Sequence, residues 1–239
     1  MEWRDTGIII GVRRHGESAV ILEAMTREHG RHLGLVRGGR GSRQAPVLQT
    51  GNLVDLVWRA RLDEHLGQYQ VEPLALHAAR CLDNPAALYA LATVSSHLRL
   101  LPERDPHPPL YEALTVLIQH IADARTVCAL MARFERALLA ELGFGLDLDR
   151  CAATGGADNL IYVSPKSGRA VSGEAGAPWA SRLLPLPGFL REGQGRVTAD
   201  GLGEAFALTG YFLERHVLEP RGLNLPDQRA ALLALACAV

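Results

Sequence analysis

Lysine is nearly missing from this chain. Lys166 is the only one among 25 basic residues, and since coding bias accounts for a preference for arginine, no function is read into it. Cysteine is scarce as well: Cys81, Cys128, Cys151 and Cys237 lie far apart, with no close pair. At 239 residues the chain buries roughly 70–75% of its unfolded surface, so it needs no disulfide or metal staple. The thiols are expected to be reduced, with Cys81 and Cys128 acting as small hydrophobes in apolar surroundings. No apolar run approaches the ~20 residues that span a bilayer, and Met1 leads into Glu2 and Arg4 rather than a signal peptide. These absences give the expectation of a cytoplasmic protein. Also missing are internal repeats of ~20–50 residues and any marked excess of charge, the formal net being −1.

The balanced total hides an uneven distribution. Between Met1 and Leu62 ten arginines face six carboxylates, and Arg27, Arg31, Arg37, Arg40 and Arg43 crowd into one stretch opposed only by Glu28. The same segment reads as β-structure. Apolar runs cover Gly7–Val12, Ser18–Thr26 and His32–Arg37. In Asn52–Leu62, Val54, Leu56, Trp58, Ala60 and Leu62 share one parity while Asp55, Arg59 and Arg61 share the other, the mark of a half-buried strand. Gln68–Glu72 alternates in the same way. Five short strands between glycine-rich turns in residues 1–75 suggest a small closed barrel, for which the OB-fold is the five-stranded candidate.

Helical periodicity takes over near Pro73. Stripes run through Leu88, Leu91, Leu98 and Leu101, then, after the proline-rich break at 103–109, through Leu110, Leu114, Leu117, Ile118 and Ile121. Met131, Phe134, Leu138 and Leu142 form another, closed by Gly143, and further helices fit Gly203–Leu218 (Phe206, Phe212 and Leu213 inward) and Pro226–Ala238. Arg150–Gly195 has neither period and reads as an irregular insert. The fold expected is therefore α+β: a barrel over 1–75, a helical domain from 76–149 and 196–239, and the insert over 150–195.

An OB barrel holds single strands by tracking phosphates with a cationic groove. The residues expected to supply it are Arg31 and Arg37, sharing a strand face with Leu33 and Leu35; Arg40 and Arg43 in the following loop; Arg59 and Arg61 on the next strand; and Arg13 and Arg14 in the first turn. Trp3, Trp58 and Tyr69 are the aromatics at hand, and two of them carry inward parity. Phosphate-driven binding with little sequence preference follows. The stretch Gly38-Gly-Arg-Gly-Ser-Arg43 lacks the lysine of a phosphate-cradling loop, and no catalytic pattern accompanies the nine histidines, so an enzyme is not expected. Asp147 and Asp149 read as capping or linking the helix that ends at Gly143. A zinc ribbon needs two Cys-x-x-Cys pairs ~15–20 residues apart. Cys151-Ala-Ala-Thr154 and Ser172-Gly-Glu-Ala175 keep that spacing with a single thiol, so no metal or other cofactor is expected, and Leu160, Tyr162 and Val163 must supply apolar packing there.

Several stretches resemble the RecO family of DNA repair and recombination mediators: Glu17-Ser-Ala-Val-Ile-Leu22 with Thr26-Arg-Glu-His-Gly30; Gly38 to Arg43; Phe134-Glu-Arg-Ala-Leu-Leu-Ala-Glu-Leu-Gly143 leading into Leu148-Asp-Arg-Cys-Ala-Ala-Thr-Gly155; and Tyr162-Val-Ser-Pro-Lys-Ser-Gly168. The resemblance implies an N-terminal OB-fold, a helical domain and a degenerate zinc-ribbon-like insert. It also implies binding of single- and double-stranded DNA, annealing of complementary strands, partnership with RecR and loading of RecA onto gaps coated by single-stranded-DNA-binding protein. Many members keep four cysteines where this chain has Cys151, Thr154, Ser172 and Ala175. The helical domain would receive the acidic, apolar tail of the single-strand-binding protein; Arg215 and Arg221 are possible rim residues, though ordinary solvated helix charges serve equally. A scaffold whose barrel binds protein instead of nucleic acid is the competing reading.

Overall fold

The computed structural model describes residues 1–191 and 195–238. It is a mixed α+β chain whose contacts separate two compact units, Met1–Ala122 and Asp123–Val239.

The first unit is built on β1 (Glu2–His15), β2 (Ala19–Thr26), β3 (Gly30–Val36), β4 (Leu53–Arg59) and β5 (Gln68–Ala75), ordered β1-β2-β3-β5-β4 in a closed ring. One long strand makes closure possible. Residues 2–8 of β1 pair with β4 and residues 7–15 pair with β2, with a register shift between Ile9 and Gly11. A bulge of this kind bends a strand so that it can serve two neighbours. Arg13 and Arg14 therefore sit in β1, opposite Ile21 and Val20, and not in the turn expected for them; the turn begins only after His15 because cross-strand pairing extends that far.

Alternation decides the interior. Ile9, Leu22, Ala24, Val54, Leu56 and Trp58 are all 4% exposed or less, the inward parity of their strands. Trp58 donates its indole N–H to Leu66 O at 2.9 Å, over Gly67, where the backbone has φ +65° and a Cβ would overlap the indole. The seam between β3 and β5 is thin. Its one register pair is Leu35 with Gln68, supported by Leu35 N–H to Gly67 O at 3.0 Å. The Tyr69 ring lies on Gly34, where a side chain would collide with it, and the Tyr69 hydroxyl meets His32 Nδ1 at 2.9 Å. Burial pushes the His32 imidazole down to about 4, with the Arg104 guanidinium adding to the effect, and burial pushes the Tyr69 hydroxyl well above its ordinary value. Both groups are thus neutral at pH 7, and the imidazole tautomer decides which of them donates the single proton of this bond. From Tyr69 onward β5 has no strand on its β3 side among the described residues, and Pro73 lies in that stretch.

Two helices belong to the same unit. In α1 (Pro85–Leu98) the Asn84 side chain caps Ala87 N–H at 3.1 Å and proline opens the first turn, as helix starts favour. Past its end, Arg99 donates to Glu23 at 2.9 Å and to Ile10 O at 3.1 Å, beside the β1 bulge. From α2 (Pro108–Gln119) the Tyr111 hydroxyl meets Thr6 Oγ1 at 3.1 Å. The expected boundary at 75/76 separates barrel from helices in sequence, whereas the contacts part at 122/123, because these side chains tie both helices to the barrel wall.

The second unit holds α3 (Ala124–Glu141), α5 (Ala199–Leu213) and α6 (Asp227–Cys237), with β6 (Leu160–Val163), β7 (Ala170–Ser172), β8 (Leu184–Pro185) and the short α4 (Gly173–Gly176) between α3 and α5. At its centre Arg229 pairs with Glu135 at 2.7 Å, both nearly fully buried, and also meets Phe206 O and Thr209 Oγ1. One ion pair thus joins all three helices; removing one partner of such a pair costs about 3–5 kcal/mol. The expectation of an irregular insert over 150–195 is corrected: Leu160–Val163, Ala170–Ser172 and Leu184–Pro185 form a sheet in the order β7-β6-β8. Strands of two to four residues are too short to display a period. Residues 192–194 of that expected insert, and Val239 at the end of the expected helical domain, lie outside the described residues.

Because His32 is 2% exposed and unfolding frees it to take a proton, stability is complete above the unfolded value of 6.5 and is lost as pH falls toward about 4. The loss expected is on the order of 3 kcal/mol. Thermal melts across that interval test it: in His32→Gln the baseline drops but the slope between these pH values flattens.

Candidate nucleic-acid interface

The eight arginines expected to form one patch are distributed around the barrel. Arg37, Arg59 and Arg61 line a single groove of about 920 Å³. Arg14 and Arg40 line a second recess, between β1, β2 and the loop that follows β3. Arg13 and Arg31 border a third, which also contains Glu23, Arg99 and Glu103. Arg43 projects from the loop and is exposed.

Arg31 is placed differently from the rest. Its side chain is 13% exposed, pairs with Glu23 at 2.8 Å and donates to Leu101 O at 3.2 Å. The outward parity of β3 was legible, but the segment after α1 covers that face. Arg31 ties it down and is removed from solution. Arg40 donates to Glu17 O at 2.5 Å, which ties its loop to the β1–β2 turn.

The large groove runs over the outer face of β1, β4 and β5. Val57 and Gln70 face each other across it, as do Arg59 with Gln68 and Asp55 with Glu72. Val36 and Arg37, from the end of β3, and Gln44 flank it. Four arginines reach it, including Arg4, which sequence reasoning passed over because it stands alone before the first apolar run. Arg4 pairs with Asp55 at 2.8 Å, and Arg59 pairs with Glu2 at 2.8 Å. The Arg59 guanidinium holds the Glu2 carboxyl below its ordinary value. Arg37 and Arg61 are exposed and have no carboxylate partner among the described residues. The groove thus carries two free cations, two masked ones and three side-chain amides: Gln44, Gln68 and Gln70. It suits an extended, hydrated polyanion.

Of the barrel's aromatics only Tyr69 borders this groove, and at 4% exposure it offers no open ring face there. Trp3 stacks on His29 at 4.0 Å and on Trp58 at 5.6 Å, and His29 is held by Asp5 at 3.1 Å. Arg104 covers Trp58, 5.8 Å from the ring centroid, and donates to Asp63 O and His65 O. These rings close one region of the barrel core.

In the second unit, the four ribbon-spaced positions supply one thiol, two hydroxyls and a methyl group, a donor set that does not fit zinc. Two of them still meet: Cys151 Sγ lies 3.5 Å from Ser172 Oγ and accepts from Ser172 N–H at 3.3 Å. Hydrogen bonding from Thr154, followed by that from Ser172, pushes the Cys151 thiol down to about 6. Leu160 and Val163 are buried as expected of them. Asp147 does not cap α3: it stands in the segment that follows the helix, where its backbone carbonyl accepts from Ala170 N–H at 2.8 Å and its carboxylate pairs with Arg169 at 3.1 Å. Of the expected rim residues, Arg215 donates to Tyr211 Oη at 3.1 Å.

The class defined is a small β-barrel module, with an arginine-edged groove on its outer face, followed in the chain by a helical one. Two family models match the chain, Recombination protein O N terminal over residues 1–76 and Recombination protein O C terminal over residues 82–224. The DNA repair protein RecO of Chelativorans sp. (strain BNC1) is 63% identical over 235 residues, covering 98% of this chain and 95% of the relative. That of Mesorhizobium japonicum is 61% identical, covering 98% and 93%. That of Brucella abortus is 57% identical, covering 98% and 95%. The chain belongs to the RecO family of DNA repair proteins.

At neutral pH the Cys151 thiol is expected to be ionised. An ultraviolet titration of thiolate absorbance should show a step near pH 6 that vanishes in Cys151→Ser. A first step only near the ordinary thiol value would show that the Thr154 and Ser172 hydrogen bonds do not hold the anion.

Proposed function

We propose that this chain is a non-catalytic recombination mediator. In this reading it binds single- and double-stranded DNA through an OB-type barrel, anneals complementary strands, and with RecR helps to load RecA onto gaps coated by single-stranded-DNA-binding protein. The observation that carries the reading is the groove over β1, β4 and β5, where Arg37 and Arg61 stand unneutralised beside Arg4 and Arg59. Family membership supports the repair context; the details of annealing and loading are part of the proposal.

The chemistry required is modest. Two complementary strands repel each other as polyanions, and a cationic groove lowers that barrier and raises the local concentration of strand. Base pairing then supplies the driving force, with no nucleotide or metal consumed. Glu2 and Asp55 moderate the process. A phosphate entering the groove must displace a carboxylate to engage Arg59 or Arg4, so binding stays weak enough for the annealed product to leave.

The geometry supports a contact set as part of this reading. Arg37, Arg59 and Arg61, with Arg4, bind the strand in the groove, while Arg13, Arg14, Arg40 and Arg43 extend the cationic surface around the barrel. Arg31 supports the fold. For the acidic, apolar tail of the single-strand-binding protein, the recess formed by Asp123, Thr126, Ala129, Leu130 and Val197 with Arg125 and Arg133 offers apolar anchorage beside cations, with Asp123 engaged in capping Thr126 N–H and Arg133 also donating to Phe189 O.

Fluorescence-monitored annealing of two complementary oligonucleotides in EDTA, with and without single-strand-binding protein, tests the reading. Acceleration in both, declining as salt rises, is expected. Arg37→Glu with Arg61→Glu should weaken binding by roughly tenfold and shallow its salt slope by between one and two, whereas Glu2→Gln should strengthen it. Full affinity in the double variant would remove the groove from the mechanism. No DNA binding by the unaltered chain at low salt would leave a protein scaffold as the better account.

A further inference from the structure

Of the three tryptophans, Trp58 is fully buried and Trp3 is stacked in the barrel core. Trp179 is 56% exposed. It stands on a 3-10 turn, Ala177–Arg182, between α4 and β8. That turn is fixed from both sides. Proline lies at its start, and Leu183 N–H bonds to Ala180 O at 3.3 Å as it ends. The preceding Gly176 presses on the Tyr162 ring so closely that a Cβ would lie 2.6 Å from it. The Arg182 guanidinium sits 5.7 Å from the Trp179 ring centroid.

A large ring on a rigid turn, with a cation beside it and most of its surface in water, is not explained by packing. The charge around it narrows the occupant. From Leu160 to Arg191 the sequence carries Lys166, Arg169, Arg182 and Arg191 against Glu174 alone. Of these, Lys166 and Arg182 are exposed and have no carboxylate partner among the described residues. The other exposed aromatic, Phe144, is already stacked on His216 at 5.2 Å. The barrel groove, for its part, has arginines and amides but no exposed ring. It provides for phosphates and leaves bases without a stacking partner.

We propose that Trp179 and Arg182 form a stacking site for an unpaired base of single-stranded DNA, the indole taking the face of the base and the guanidinium its adjoining phosphate. Aromatic stacking of this kind tolerates any base and is denied to duplex, whose bases are already stacked on one another. The site therefore biases a phosphate-binding protein toward single strands. This inference rests on the DNA-binding reading above.

The test compares Trp179→Ala, Trp179→Phe and the unaltered chain, all full length, on a labelled oligothymidylate and on a blunt duplex of equal length. Trp179→Ala should bind the single strand about tenfold more weakly while its duplex affinity and melting temperature stay unchanged. Trp179→Phe should recover most of the loss, and the tryptophan emission of the unaltered chain should be quenched by the oligothymidylate. Equal affinity of Trp179→Ala and the unaltered chain for the single strand would overturn the inference and leave the groove reading intact. So would an equal loss on single strand and duplex, or a loss seen only in capture of single-strand-binding protein, which would make the ring a protein contact. If the unaltered chain binds neither nucleic acid, the groove reading itself fails.

Discussion

Where β3 and β5 meet, the barrel has a single register pair to close on, Leu35 with Gln68, and the junction is made by side chains. The Tyr69 ring lies flat on Gly34, and its hydroxyl crosses the seam to His32. This hydrogen bond forms between two neutral groups because the protein interior disfavours the charged form of each. Much of the first unit is arranged around it. Trp58 and Trp3 flank the imidazole, Arg104 covers Trp58 and holds the β4–β5 loop by its carbonyls, and that loop carries Arg61 into the groove. The groove begins where the backbone ladder of the seam ends, so its shape is inherited from a core contact.

Electrostatics at this surface works by subtraction. A net charge of −1 conflicts with a polyanionic ligand only if charges act as a sum. Here acidic residues are spent locally: Glu2 on Arg59, Asp55 on Arg4, Glu23 on Arg31 and Arg99. What remains free is a short list of arginines in particular places. Exposed ion pairs contribute little to stability, which applies to Glu2 and Arg59, both more than half exposed, whereas Asp55, 15% exposed, is held more closely against Arg4.

Strand parity was legible because β2, β3 and β4 have one face in the core and one outside. Trp58, Tyr69 and the alternation of Val54 and Leu56 indicated the right side of each strand. The length of β1 was not, since its bulge breaks the alternation at Ile9 and Gly11. Arg31 and Arg59 look alike in sequence, both on outward positions of strands. They differ only through the segment after α1, which lies over Arg31, a contact some 70 residues away in the chain. Cys151, Thr154, Ser172 and Ala175 were legible from spacing alone as ribbon-like positions with a single thiol, but not the contact between Cys151 and Ser172. The small sheet around them was missed because its strands are too short for periodicity, and Asp147 was misread because its partner Arg169 directly precedes a strand of that sheet. Trp179 gave no signal, since exposure cannot be read from an isolated aromatic between proline and alanine.

The free edge of β5 has a consequence for the life of the protein at high local concentration. An uncovered strand is a template on which a second copy can add its own, and repeated addition leads to fibrils. This chain keeps the edge open beside its groove but makes it a poor template. Pro73 removes a donor, Glu72 brings a like charge against any copy aligned antiparallel at that point, and the register shift at Leu53 and Val54 distorts the end of the ladder. The barrel thereby keeps an open edge without offering a second copy a strand to build on.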